Sequence, residues 1–334
     1  MIMKLCNHFY FGFFLILIFF YSCNYQNNQL KQELLLLKNT GNAIKKDFST
    51  IIAHNKDLAV YCEHFYTQKN INAIYSDTTK FIIENDILYK PLNDEGSAVF
   101  VSGYYPISNE IKKFVSTTNI LDAKFKKTIT DFAPLISQIY FIDKRSIIRV
   151  YPFIEVLTLF ESKTNFEKKA VLNYPPIQNN TEKPTQIESA SNFSPTLRGC
   201  AISLNTPVYN NKQLVGVVGY NITIESIKEK YFHDKMKDII LTDSIGNIIF
   251  MNTKMAEILN LSALQKNTAE QDIKTNPQYC LATTKNKEMR TIFMNIIKNK
   301  QDETTFNINK EELTLISHKI PELNWYLIKI LKEE

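Results

Sequence analysis

The chain has 334 residues, 44% of them hydrophobic and 22% charged. That apolar share is too high for a disordered chain, and the length accommodates one large domain or two smaller ones, each with its own core. Only 8 glycines exclude collagen-like and Gly-rich linker architectures. The net charge of +5 is spread along the chain without a basic block, so no nucleic-acid partner is expected.

The first residues read as an address. Lys4 precedes an apolar run from Phe9 to Tyr21, followed by Ser22 and Cys23. At 1.5 Å per residue the run spans about 20 Å, short of the ~30 Å hydrocarbon core of a bilayer, which suits the apolar region of a signal peptide. A small residue followed by cysteine resembles a bacterial lipoprotein signal, and the resemblance implies lipidation of Cys23 after removal of residues 1–22. An uncleaved anchor extended back through Leu5, and ordinary secretory cleavage, are the alternatives. Without Cys6 and Cys23 three cysteines remain: Cys62, Cys200 and Cys280. Three widely spaced thiols give no metal signature and at most one disulfide, so they are expected to be small buried hydrophobes.

From Leu30 an apolar series passes through Leu34, Leu37, Gly41, Ile44, Phe48, Ile51, Asn55, Leu58, Cys62 and Phe65. Its steps of four and three put one stripe on one face of a long helix, packed on its own protein or on a second copy in a homodimer. Ser108 is a candidate N-cap for a second helical pattern through Ile111, Phe114, Val115, Leu121, Phe125 and Ile129, closed by Pro134. The texture then becomes strand-like. Gln138–Asp143 and Ser146–Tyr151 form a predicted hairpin, and Ile239–Asp243 with Asn247–Met251 repeats it about one hundred residues later. Asp143 and Asp243 stand at the same place in each turn, where a short carboxylate accepts backbone N–H groups.

Cys200–Tyr209 and Leu214–Ile222 form a second predicted hairpin, after which Thr223 caps a helix from Glu225 to Tyr231. Thr304–Ile308, Leu313–Ser317 and Trp325–Ile330 supply three closing strands. The expected class is α+β: a long N-terminal helix followed by two PAS-like modules with antiparallel sheets. The expected boundaries are 1–22 for the signal, 23–70 for the anchor and long helix, 71–232 for a membrane-distal module and 233–334 for a membrane-proximal one.

Ile139–Asp143 with Tyr151-Pro152, Pro207–Tyr209 with Gly216–Ile222, and Leu323–Tyr326 together resemble an extracytoplasmic double Cache (dCache) sensor domain, over roughly Gln26 to Leu331. The resemblance implies a small-molecule ligand held in the distal module, between its sheet and the segment Phe160 to Arg198. Part of that segment, Ile177 to Thr196, is polar and proline-containing, as a covering loop would be. Amino-acid-binding members carry an Arg-x-Trp-Tyr-x-x-Ala pattern there, and an Asp that holds the ligand amine. Thr164, Phe166, Glu167 and Ala170 stand at the four positions, with Lys163 beside the first, and Asn221 stands for the Asp. An amide cannot pair with an ammonium as a carboxylate does, which argues against an ordinary α-amino acid.

The candidate ligand-binding residues are therefore Tyr151, Lys163, Phe166, Phe193, Tyr209 and Asn221. The four aromatic residues would serve as apolar walls, against the alternative of core, since aromatic residues at strand spacing usually pack. Lys163 and Glu167, four apart, also suit a surface pair. His54, His64, His233 and His318 have no metal spacing, and there is no Gly-x-Ser-x-Gly elbow, Walker loop or Rossmann fingerprint. No metal, no cofactor and no enzymatic activity are expected. The expected function is that of an exported, membrane-anchored sensor in the cell envelope, signalling through a separate partner. The alternative is a structural or protein-interaction lipoprotein that keeps the fold without a ligand.

Overall fold

The structure, a computed structural model, describes residues 2–67, 79–168, 185–194, 199–232, 238–251, 281, 287–299, 303–308 and 311–332. The helix α1, Ile2–Thr67, runs unbroken through the segment read as a signal and through Cys23, whose side chain lies outside the described residues. No helix among the described residues is long and apolar enough to cross a membrane.

Two antiparallel sheets follow. The larger has the order β1-β2-β3-β5-β4-β8-β7-β6. Its strands are β1 (Ile82–Glu84), β2 (Ile87–Tyr89), β3 (Ala98–Val101), β4 (Ile136–Asp143), β5 (Ile147–Tyr151), β6 (Gln186–Ser194), β7 (Gly199–Asn210) and β8 (Gln213–Thr223). Helix α4 (Ile224–Tyr231), capped by Thr223 Oγ1 accepting from Ser226 N, leads to the smaller sheet. That sheet has the order β10-β9-β13-β12-β11, from β9 (Ile239–Asp243), β10 (Ile248–Met251), β11 (Glu303–Ile308), β12 (Glu311–Ile320) and β13 (Trp325–Lys332). Helix α5 (Lys287–Asn299) packs on it through Ile292, Phe293 and Ile296. The α+β class and all three predicted hairpins are found where the sequence places them.

The stripe on α1 is buried by the chain itself. Leu37, Ile44, Phe48, Ile51, Leu58 and Cys62 enter one continuous core with residues of both sheets, and α1 touches β7, β8, β12 and β13. Each such fully buried aliphatic or aromatic side chain stabilises the fold by about 1.5–3 kcal/mol. The two positions that weaken the stripe are contact points. A Cβ on Gly41 would lie 2.4 Å from His318 Cδ2 on β12, so the glycine lets helix and sheet approach. Asn55 is fully buried and donates to the Leu204 carbonyl at 3.3 Å.

The second helical pattern is divided. Helix α2 (Asn109–Thr117) is capped by Ser108 Oγ accepting from Ile111 N, a 3₁₀ turn spans Thr118–Ile120, and α3 (Leu121–Asp131) follows. Buried Arg149 on β5 explains the join: it donates to the Val115 carbonyl at 3.0 Å, to Asn119 Oδ1 at 2.8 Å and to Asp122 Oδ1 at 2.8 Å, and so ties both helices to the sheet. The repeated turn aspartates act as expected. Asp143 Oδ1 accepts from Arg145 N at 2.7 Å, and Asp243 Oδ1 from Ile245 N and Asn247 N at 3.0 and 2.9 Å.

Candidate functional site

The larger sheet has one face on α1 and an outer face, and cross-strand register decides which residues share each. Ile139, Tyr220 and Leu204 form a row on the α1 face, and Tyr151 pairs with Ile139 in that same row. Tyr151 accordingly packs on the core shared with α1, on the opposite side of the sheet from Asn221. Facing residues on paired strands point to one side, so Tyr151 and Asn221 do not meet.

Asn221 belongs to the outer face, where β4, β8, β7 and β6 build two polar rows. The first runs Gln138, Asn221, Ser203, Glu188 and the second Tyr140, Gly219, Asn205, Gln186. The side chain of Glu188 lies outside the described residues. Asn221 is buried and bonded at both ends: its Nδ2 donates to Gln138 Oε1 at 2.9 Å, and its Oδ1 accepts from Ser203 Oγ at 2.7 Å. In the second row the Tyr140 ring lies over Gly219, where a Cβ would come within 2.0 Å of Cζ, and its hydroxyl donates to Asn205 Oδ1. Asn205 is 0% exposed, yet among the described residues its Nδ2 has no partner, and neither has the buried Gln186 Oε1 opposite it.

Beside this polar floor the outer face turns apolar. Phe166 is fully buried there, its ring 5.2 Å from Phe160 and 6.2 Å from Phe100, and Tyr209 packs with Leu214 and Val217 in the same cluster. Phe166 is thus a core residue flanking the floor. Phe193 lies on β6 opposite Cys200, its side chain outside the described residues. Lys163 is exposed, with Nζ 3.1 Å from the Gly103 carbonyl and 3.6 Å from Asp86. It does not pair with Glu167, which accepts from Tyr105 Oη at 3.1 Å, because residues 163–165 are turn and loop and not helix, so the two side chains do not share a helical face.

The floor residues that sequence reasoning passes over are Gln138, Tyr140, Ser203 and Asn205. A signal existed: each pair is two apart on a strand whose intervening residues, Ile139 and Leu204, are apolar. Period-two alternation of that kind marks two faces of a sheet.

A concavity of about 730 Å³ lies where the β4–β5 and β7–β8 turns meet the end of α1, lined by Tyr66, Asp143, Lys144, Arg145, Lys212 and Gln213 among others. Its charges are largely spent internally. Arg145 Nε and Nη2 donate to the Asp143 carboxylate at 2.9 and 2.8 Å, Tyr66 Oη donates to it as well, and the guanidinium stands 4.0 Å over the Phe114 ring. Burial, reinforced by the Asp143 carboxylate, pushes the Tyr66 hydroxyl well above its usual range, which keeps it a neutral donor. Among the described residues no group of three His, Cys, Asp or Glu is placed to hold a metal.

No family model matches the sequence, and a search of curated proteins gives no significant match. Solved structures do match. The ligand-binding domain of the Campylobacter jejuni chemoreceptor Tlp3 in complex with L-norvaline aligns with a TM-score of 0.52 at 13% identity, covering 92% of this chain and 91% of that one. The sensory domain of the same receptor aligns at 0.50 and 14%, covering 92% and 94%. The extracellular domain of mmHK1S-Z2, named as a histidine kinase, aligns at 0.50 and 8%, covering 90% and 96%. At these identities the likeness concerns the backbone, and it extends over nearly the whole chain: the protein has the fold of these sensor domains, the double Cache fold that its sequence resembles.

Proposed function

We propose that this protein is an exported, membrane-anchored small-molecule sensor of the dCache type, with its ligand on the outer face of the larger sheet and its signal passed to a separate partner. One observation carries the reading: a floor of polar side chains, with the buried Asn205 Nδ2 lacking a partner among the described residues, set beside an apolar cluster. Few polar groups fixed beside apolar walls are what a small-molecule site requires. The Tlp3 domain that shares this fold holds an amino acid in its crystal. The leader supports export, since Phe9–Tyr21 followed by Ser22 and Cys23 suits a lipidated N-terminus.

Thermal unfolding of the full chain in detergent, against amino acids, amines, carboxylates, amides, purines and sugars, tests ligand binding. A ligand at 100 times its Kd stabilises by about 2.7 kcal/mol, and a domain of this size gains about 2–4 °C per kcal/mol. A saturable rise is expected, and a flat panel on folded protein would turn the reading to an interaction lipoprotein without a ligand. Anchoring is tested separately. In a bacterial host fed labelled palmitate, the native chain should take up label in the membrane fraction and Cys23→Ser should take up none; equal labelling would show that Cys23 is not the site.

A further inference from the structure

Asn205 and Gln186 face each other across the β7–β6 pair, so their side chains rise from the same outer face, about 5 Å apart at the backbone. The Tyr140 hydroxyl holds Asn205 Oδ1 and thereby turns Nδ2 away from itself. What remains unmet among the described residues is one donor, Asn205 Nδ2, and one acceptor, Gln186 Oε1, both buried and side by side. Buried polar groups are nearly always paired, and an unmade bond in a buried site is costly. The neighbouring row does not meet them, because the Asn221 amide is turned to Gln138 and Ser203, with which it makes its bonds.

The complement of an adjacent donor and acceptor is a group that presents a C=O and an N–H on the same edge. A primary carboxamide does so, and so does a cyclic amide or imide, whose ring fixes the two side by side. Resting on the sensor reading above, we infer that the outer-face floor is an amide-reading subsite: Asn205 Nδ2 donates to the ligand carbonyl, the ligand N–H donates to Gln186 Oε1, and the Tyr140 ring over Gly219 forms the flat surface beside them. A zwitterionic amino acid could reach the same two atoms with its carboxylate and ammonium. It would then leave two full charges out of water against neutral amides, a penalty that an uncharged amide does not incur. Apart from Glu188, whose side chain lies outside the described residues, both rows are uncharged, which suits an uncharged ligand.

The test titrates the full chain in detergent with 2-pyrrolidone, uracil and nicotinamide, with the blocked analogues N-methyl-2-pyrrolidone and 1,3-dimethyluracil, and with L-valine, read by calorimetry and by melting temperature. At least one N–H amide is expected to bind saturably, with Asn205→Asp binding it about tenfold or more weaker. Where that ligand is one of the cyclic pair, its methylated analogue should be weaker by the same factor. Asn205→Asp is nearly isosteric and keeps the acceptor for Tyr140; Gln186→Met, at a half-buried position, removes the acceptor instead and should weaken the same ligand similarly. Binding of L-valine with no response to any amide would overturn the amide subsite and leave the sensor reading standing. No response to any compound here or in the broader panel would overturn both. Amide binding unchanged in both variants would show that these two residues do not read it.

Discussion

At the scale of single residues, the protein's polar side chains divide into those whose bonding is complete and those whose bonding is not. Asn221, the residue that the sequence offers as an amine-site substitute, is complete within the sheet, which makes it a brace between β4, β8 and β7. His54 is complete in a different way. Its Nδ1 is hydrogen-bonded to the Tyr220 hydroxyl at 2.8 Å, which links α1 to β8. Burial lowers the His54 pKa from 6.5, nearby Lys124 and Lys127 act in the same direction, and Asp57 and Asp131 oppose them. The folded chain therefore binds this proton less tightly than the unfolded chain. The stabilisation is fully present above pH 6.5 and is lost as pH falls through the lower folded value. The melting temperature of the native chain should thus drop more between about pH 7.5 and pH 5.5 than that of His54→Gln. Equal drops in the two proteins would show that His54 contributes nothing to the acid sensitivity.

At the scale of elements, strand β8 shows how a small residue builds the site. Gly219 is needed because the Tyr140 side chain from β4 crosses over it to reach Asn205 on β7. Gly219→Ala would push the ring aside and leave Asn205 unpartnered at both ends. The expected cost is about 1–3 kcal/mol in denaturant titration, as for other overpacked sites, together with loss of any ligand response. Tyr140→Leu in the same background should restore part of the stability and none of the response, because the two changes act at one contact. Full additivity of the two substitutions would show that the ring does not depend on the glycine.

The same elements show what the sequence makes legible. Helices and hairpins are readable because their signals are local: the four-and-three stripe of α1, the caps at Ser108 and Thr223, and the turn aspartates 143 and 243. The face to which a strand residue points depends on register against strands far away in the chain. Tyr151 thus reads as a pocket residue and lies on the α1 side, while Tyr140, Ser203 and Asn205 are overlooked. The division of α2 from α3 is hidden for a related reason. Their apolar spacing continues across the break, and the Arg149 that fixes the break is contributed from β5.

At the scale of the molecule, α1 packs against both sheets. Asn55, Glu63 and Tyr66 engage the larger sheet and its turns, through the Leu204 carbonyl, Tyr209 N and Asp143. Glu33, Gly41 and Phe48 engage the smaller sheet, through Lys329, His318 and Trp325. A core continuous along one helix should make the two sheets unfold together. Trp325 is the only tryptophan of the chain and packs edge-on against Phe48 at 5.0 Å, so its fluorescence reports the junction of α1 with the smaller sheet, while far-UV dichroism reports every strand. In guanidinium the two signals should therefore trace one transition. Phe48→Ala should move both to lower denaturant together, by about 3–5 kcal/mol of stability for a buried aromatic truncated in a core. A fluorescence transition that precedes the dichroism one would mean that the smaller sheet melts from α1 by itself. The helix could then not carry a change at the outer-face floor to the other sheet, because any strain delivered to it would be released by local unfolding before it reached β13.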